Sequence, residues 1–326
     1  MNKKVCMLGI CIALFGVGTY LKVNACCCET GVHAQVPSII VNTGAWVQND
    51  DTTRLPQTIT YKLVTDFMEA PLSKGKVEKK VLVLGLDGIR KDALQNLFYE
   101  ERSAIMEVAK EGGAYLTYAG GNTPFQQTST APGWASILTG GWAEYTGVYD
   151  NEDIKKDTAN TFLIEQAQQG YTGAYIVSWA PHIDVTYAQD NQKAHNSALP
   201  LDFIQTNSDD ETLAATLQQV QELNTDIIFS IFEYGDHAGH ESGYGNHNED
   251  YVQAVKDADY AGVQIIDEIK QRENYDQEDW LIILTTDHGG TGLSHGGQSE
   301  AERETWLVSN KPITITNELI NYHKQN

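Results

Sequence analysis

Three apolar runs of strand length, residues 81–86, 226–232 and 280–286, are each followed by an acid, and this repeat limits the fold more than any other stretch of the chain. Runs of this kind suit strands buried on both faces, as in parallel sheets covered by helices. Between them lie segments of helical period. Leu213, Leu217 and Val220 form one apolar stripe, and Val252, Val255, Asp259 and Val263 run along another segment. Strands alternating with helices predict an α/β fold: a mostly parallel central sheet sandwiched by helices on both faces, one domain over residues 79–326. Asp87, Asp236 and Asp287 then fall at or just beyond strand C-terminal ends, the edge where open α/β sheets place their ligands.

The chain ahead of this domain has a different texture. Met-Asn-Lys-Lys precedes an apolar run over residues 5–21, and Val23-Asn24-Ala25 supplies small residues where a signal peptidase cuts, so residues 1–25 are expected to be an export signal. With Gly9, Gly16 and Gly18 inside it, the run is marginal for a spanning helix, which needs about 20 residues. The cysteines are Cys6, Cys11, Cys26, Cys27 and Cys28, so no disulfide framework holds the domain. Val23-Asn24-Ala25-Cys26 also reads as a bacterial lipobox, which leaves two fates open: secretion, or a membrane tether through a lipid on Cys26. Residues 26–78, with β-like runs at 38–41 and 58–64, read as a leader and peripheral arm. The formal charge of −22 argues against a long basic track for a nucleic-acid duplex or anionic lipid. An anionic substrate therefore needs a local positive source, which bound metals would provide.

Four short motifs carry the chemistry. In Gln127-Thr128-Ser129-Thr130-Ala131-Pro132-Gly133-Trp134, Thr130 is placed to cap a helix that admits Pro132 in its first turn, with Trp134, Ile137 and Leu138 facing the core. A hydroxyl there sits where backbone N–H groups favour an anion. Leu82-Val83-Leu84-Gly85-Leu86-Asp87-Gly88 is a strand ending in Asp-Gly, which alone is ordinary turn chemistry. Glu233-Tyr234-Gly235-Asp236-His237-Ala238-Gly239-His240 brings Asp236 and His240 into chelating distance. Thr285-Thr286-Asp287-His288-Gly289-Gly290, followed by Ser294-His295-Gly296-Gly297, adds an Asp-His pair and a further His.

In this order the motifs resemble the alkaline phosphatase superfamily, and within it the type I phosphodiesterase and nucleotide pyrophosphatase branch, over residues 80–310. The resemblance implies an alkaline phosphatase-like fold and two divalent metal ions. Asp87, Asp287, His288 and the Thr130 oxygen would hold one, and Asp236, His240 and His295 the other. Thr130 would be the nucleophile, passing through a phospho-threonine intermediate, and Asn151 would grip a phosphate oxygen. His237 has no family role and reads equally as a hydrogen-bonding neighbour of the site or a plain histidine. Arg90 reads as the start of an exposed helix face. The chain departs from many relatives in having Gly133, not Asn, three residues after the nucleophile, and in lacking a long insertion before His295.

Together these features predict an exported metal-dependent hydrolase acting on a small-molecule or polymer phosphoester. Three nitrogen and several oxygen donors suit Zn²⁺, with Mn²⁺ or Fe as alternatives. Three carboxylates, two divalent ions and a Thr130 alkoxide leave little net charge. No Arg or Lys stands beside Thr130, so a phosphodiester monoanion is preferred over a monoester dianion. A phosphomonoesterase or phosphonate hydrolase of the same superfamily is the alternative. A sulfatase would need a Cys or Ser nucleophile and an Arg four residues on, where this chain has Thr130 and Trp134. A catalytically inactive, metal-stabilised binding protein is the most distant reading.

Overall fold

In the computed structural model, which describes residues 47–152 and 159–325, the three apolar runs are neighbours at the centre of an eight-stranded sheet. The strands are β1 (Leu55–Pro56), β2 (Glu78–Leu86), β3 (Gly113–Tyr118), β4 (Gly173–Val177), β5 (Leu201–Gln205), β6 (Ile227–Phe232), β7 (Glu278–Thr285) and β8 (Glu304–Ser309). Across the sheet they lie in the order β1-β3-β8-β7-β2-β6-β4-β5. Only β8 runs antiparallel, against β3 and β7; every other pair is parallel. Ahead of β7 the α-helices are α1 (Ile59–Glu69), α2 (Ala104–Glu111), α3 (Thr130–Thr139), α4 (Ala143–Thr146), α5 (Phe162–Gln168), α6 (Ala188–Asn196), α7 (Asp209–Gln221), α8 (Tyr234–Ser242) and α9 (Glu249–Gln271).

Alternation along β2 explains why both faces must be covered. Leu82, Leu84 and Leu86 join a core with Ile105 and Val108 of α2, Val220 of α7 and Val255 of α9. Val81 and Val83 point the other way, into a core with Val64 of α1, Ile137 of α3 and Phe162 of α5. Each fully buried Leu or Val contributes about 1.5–3 kcal/mol relative to exposure, so neither face could be left bare. The expected α/β fold, a mostly parallel sheet between two helical layers, is what these contacts build.

Two local expectations are corrected. Residues 58–64 are not a β-like run, because α1 begins at Ile59. Their β-branched and aromatic composition suggests a strand, yet Tyr61, Val64 and Met68 recur at helical spacing and are buried together. With β1 paired to β3, this stretch of the expected peripheral arm is part of the sheet and its core. The cap of α3 is Ser129 and Thr130 is the first helical residue, since the Gly133 N–H bonds the Ser129 carbonyl at 2.9 Å. The helix ends at Gly140, whose φ of 79° is the left-handed conformation that glycine adopts freely. The export signal over residues 1–25, Cys26 and the run at 38–41 lie outside the described residues. Among the described residues no helix is long and apolar enough to cross a membrane.

Candidate active site

Because β7, β2 and β6 are adjacent and parallel, the acids that follow them gather at one end of the sheet. Asp87 follows β2 directly, Asp287 lies just beyond β7, and Asp236 sits in the first turn of α8 after β6. Close approach of these segments depends on glycine. A Cβ on Gly88, which has φ of 64°, would stand 2.8 Å from Oδ1 of Asp236, and one on Gly235 would stand 2.9 Å from the Asp87 carbonyl oxygen.

Two groups of side chains result, each with donor atoms within 4.8 Å of one another: Asp87, Asp287 and His288, and Asp236, His240 and His295. The first is wholly buried. Its His288 Nε2 lies 3.3 Å from Asp87 Oδ1, 3.4 Å from Asp287 Oδ2 and 3.5 Å from the Thr130 hydroxyl. In the second, His240 Nε2 is 3.4 Å from Asp236 Oδ2, four residues back on the same helix, and 3.1 Å from His295 Nε2.

The orientation of the imidazoles is informative. His288 Nδ1 faces the Gly289 carbonyl at 2.8 Å, His240 Nδ1 the Leu293 carbonyl at 2.9 Å, and His295 Nδ1 the Thr128 carbonyl at 3.1 Å. A carbonyl only accepts, so each Nδ1 carries the proton and each Nε2 turns a lone pair inward. Inward lone pairs beside carboxylate oxygens repel unless a proton or a metal cation lies between them. Asp87 Oδ1 and Asp287 Oδ2 are also buried with no hydrogen-bond partner. Nitrogen and oxygen lone pairs converging without donors fit divalent metal ions, and outward Nδ1–H bonds to backbone carbonyls are the usual support for metal-binding histidines.

Burial dominates the electrostatics. It pushes the carboxyls of Asp87 and Asp287 well above the ordinary carboxylate range, and the charge of neighbouring acids pushes them further. Burial likewise lowers His288 to about 3, so this ring stays neutral. His295 is lowered too, first by burial.

Thr130 is 4 % exposed at the start of α3, where its hydroxyl meets the first group. The helix is held there by Trp134, whose ring packs where a Gly85 side chain would be and whose Nε1–H donates to Asp87 Oδ2 at 2.8 Å. Gly133 is required on the same turn, since its Cβ would stand 2.8 Å from that of Asp287. Asn151 lies beside the first turn of α3, accepting the Ala131 N–H on Oδ1 at 2.8 Å. That bond leaves its amide N–H groups to offer. His237 is exposed. Arg90 is half-buried rather than on an exposed helix face, its guanidinium bound to Asp92 and to the Gly290 carbonyl.

Sequence reasoning passed over Tyr244, whose hydroxyl donates to Asp236 Oδ1, and Tyr251, whose hydroxyl donates to the Gly88 carbonyl at 2.7 Å. It also gave no role to His182 or Glu233, which lie buried next to Asp87. Tyr251 at an ordinary helical position and Tyr244 in the bend between α8 and α9 carry no motif. Glu233 stood inside a quoted motif and could have been questioned for its place at a strand end.

Comparison with protein families matches residues 81–321 to the model described as type I phosphodiesterase/nucleotide pyrophosphatase. Comparison with curated proteins finds no match. Among solved structures the chain is similar to an inactive form of murine ectonucleotide pyrophosphatase/phosphodiesterase 5 in complex with AMP, at 21 % identity and a TM-score of 0.48. That match covers 66 % of this chain and 58 % of the murine chain, less than two thirds of its length. Alkaline phosphatase from the Antarctic bacterium TAB5 is similar at 13 % identity, 73 % and 92 % coverage and a TM-score of 0.48. The phosphonate monoester hydrolase of Agrobacterium radiobacter is similar at 13 % identity, 72 % and 68 % coverage and a TM-score of 0.48. With the family match extending from β2 past β8 and over every motif of the site, the chain belongs to the type I phosphodiesterase/nucleotide pyrophosphatase family.

Proposed function

We propose that this chain is an exported two-metal hydrolase of phosphate esters that prefers diesters and uses Thr130 as its nucleophile. The observation that carries the reading is the inward set of three imidazole Nε2 lone pairs beside unpartnered carboxylate oxygens. Asp87, Asp287, His288 and the Thr130 hydroxyl would hold one ion, and Asp236, His240 and His295 the other. Zn²⁺ matches these donors best, with Mn²⁺ or Fe as alternatives. Bound there, divalent ions lower the pKa of a hydroxyl and offset the charge that develops on a departing oxygen.

The chain's own groups do the rest. Thr130 Oγ1 attacks phosphorus, the bond to the leaving alcohol breaks, and the phosphoryl group with its remaining ester stays on Thr130. The Thr130 proton leaves with the alcohol; water then attacks the same phosphorus, and Thr130 departs as its hydroxyl with a proton from that water. Trp134 keeps the Asp87 carboxylate oriented through its Nε1–H. The Asn151 amide donates to a phosphate oxygen while its Oδ1 remains on the Ala131 N–H. The scarcity of cations beside Thr130, where Ala131, Gly133 and Trp134 stand, favours a diester monoanion.

The test compares bis-(p-nitrophenyl) phosphate, p-nitrophenyl phosphate and p-nitrophenyl sulfate as substrates of the Zn²⁺- or Mn²⁺-loaded chain and its Thr130→Ala variant. The expected order is diester over monoester over sulfate, with the variant slower by at least about 10³-fold. Turnover of none of the three by the wild type would sink the proposal.

A further inference from the structure

His295 differs from the other ligand-like residues in what carries it. Asp87, Asp287 and His288 follow buried strands directly, and Asp236 and His240 share α8. His295 instead lies on an irregular segment after β7, where Thr291, Gly292, Leu293 and Ser294 are all exposed. A segment with so little buried surface is not fixed by packing, so polar contacts must set its position. Its first half folds on itself, the Thr291 N–H donating to the Ser294 carbonyl at 2.8 Å, and is met by His240 Nδ1 at the Leu293 carbonyl.

The half that bears His295 is bound by one residue from across the site. Thr128 is 1 % exposed and stands two residues ahead of Thr130. Its hydroxyl donates to the Gly297 carbonyl at 2.7 Å and accepts the Gly296 N–H at 3.2 Å, while its backbone carbonyl accepts His295 Nδ1–H at 3.1 Å. Three successive residues are therefore tied to a single residue on the approach to α3. A hydroxyl can donate and accept at once, which is what the two glycines require of it. Its direction is set by packing, because the Thr128 methyl lies 2.9 Å from where a Gly120 Cβ would be. Two further bonds lie past His295: the Gly297 N–H donates to Glu302, and Gln298 Nε2 donates to the Gln126 carbonyl. The His295 ring also stacks on that of His288, with centroids 4.0 Å apart, a contact that leaves it free to slide in plane.

We propose that Thr128 is a positioning residue whose hydroxyl clasps the Gly296–Gly297 backbone and so holds the His295 imidazole in a fixed relation to the Thr130 hydroxyl. The clasp joins the two halves of the site through one side chain: the segment bearing His295 cannot shift without straining the chain two residues from the nucleophile. This deepens the two-ion reading and rests on it only for what His295 Nε2 binds.

The test uses the full chain and its Thr128→Val, Thr128→Ser and His295→Ala variants, with two readouts independent of turnover. Thr128→Val keeps the shape and the methyl and deletes the hydroxyl; Thr128→Ser keeps the hydroxyl. The first readout is hydrogen exchange in EDTA, where the Gly296 amide is expected to exchange about 10-fold faster in Thr128→Val and at the wild-type rate in Thr128→Ser. The second is equilibrium dialysis against Zn²⁺. Thr128→Val is expected to weaken, by about 10–100-fold, the ion that His295→Ala loses and to leave the other unchanged, with Thr128→Ser again matching wild type. Unchanged Gly296 exchange in Thr128→Val, or wild-type affinity for both ions, overturns the clasp while leaving the two-ion reading standing. Fewer than two ions in the wild type overturns both. Thr128→Ser as impaired as Thr128→Val assigns the effect to packing and overturns the role of the hydroxyl. Circular dichroism in EDTA checks each fold, and Thr128→Ser remains decisive should Thr128→Val not fold.

Discussion

At Gly133 there is no room for even a methyl group, because a Cβ would stand 2.8 Å from the Cβ of Asp287 and 3.1 Å from its Oδ2. Gly133→Ala is expected to cost about 1–3 kcal/mol in denaturant unfolding and to lower diester turnover by displacing Asp287 or the first turn of α3. A variant with unchanged midpoint and rate would show that the helix and the acid are not in contact. Asn151 is the other informative position, since one end of its amide is committed to the Ala131 N–H. Asn151→Asp keeps that acceptor and replaces the donor with charge. We expect its stability to stay within about 1 kcal/mol of wild type and its kcat/KM for the diester to fall by about 10²-fold, as expected for losing a donor to the transition state. An unaltered kcat/KM would remove Asn151 from the substrate site.

Between α3 and β2 the decisive contact is Trp134, which fills the space above Gly85 and donates to Asp87 Oδ2. Trp134→Phe keeps most of the packing and deletes the donor. The expected outcome is a loss of about 1–3 kcal/mol of stability together with a lower kcat and little change in KM. A change in KM alone would mean that Trp134 contacts substrate rather than positioning Asp87. The elements differ in how far the sequence revealed them. The strands β2, β6 and β7 were legible because burial on both faces demands unbroken apolar runs. Helix α1 was not, because Thr58, Ile59, Thr60 and Val64 favour strand locally and only the burial of Tyr61, Val64 and Met68 against the sheet decides for helix. The ligand-like Asp and His residues were legible through their spacing and order. His182 and Tyr244 were not, since their contacts with Tyr175 and Asp236 exist only once the chain following β4 and α8 is in place.

For the whole molecule, the gathering of buried acids and imidazoles at one end of the sheet ties stability to pH and, on the two-ion proposal, to metal. Folding raises the carboxyls of Asp87 and Asp287, so above the ordinary carboxylate value of about 4 the folded apo chain holds protons that the unfolded chain releases. Their contribution to apo stability is therefore lost as pH rises through that window and beyond. His288, lowered to about 3, has the opposite sign: its contribution is lost as pH falls below about 6.5. Metal ions bound as proposed would displace the carboxyl protons, so the gain in Tm on adding Zn²⁺ after chelation is expected to be larger at pH 8 than at pH 5.5. Scanning fluorimetry in EDTA and in Zn²⁺ at both pH values checks this, and an equal gain at both would contradict it.

The central claim is covalent chemistry at Thr130, and the most direct measurement traps it. The metal-loaded chain is mixed with bis-(p-nitrophenyl) phosphate, quenched in acid within the first turnover, digested and sequenced by mass spectrometry. A p-nitrophenyl phosphate ester on Thr130, missing from a Thr130→Ala variant that no longer turns over, is the predicted result. An adduct on any other residue, or wild-type turnover by Thr130→Ala, would contradict it.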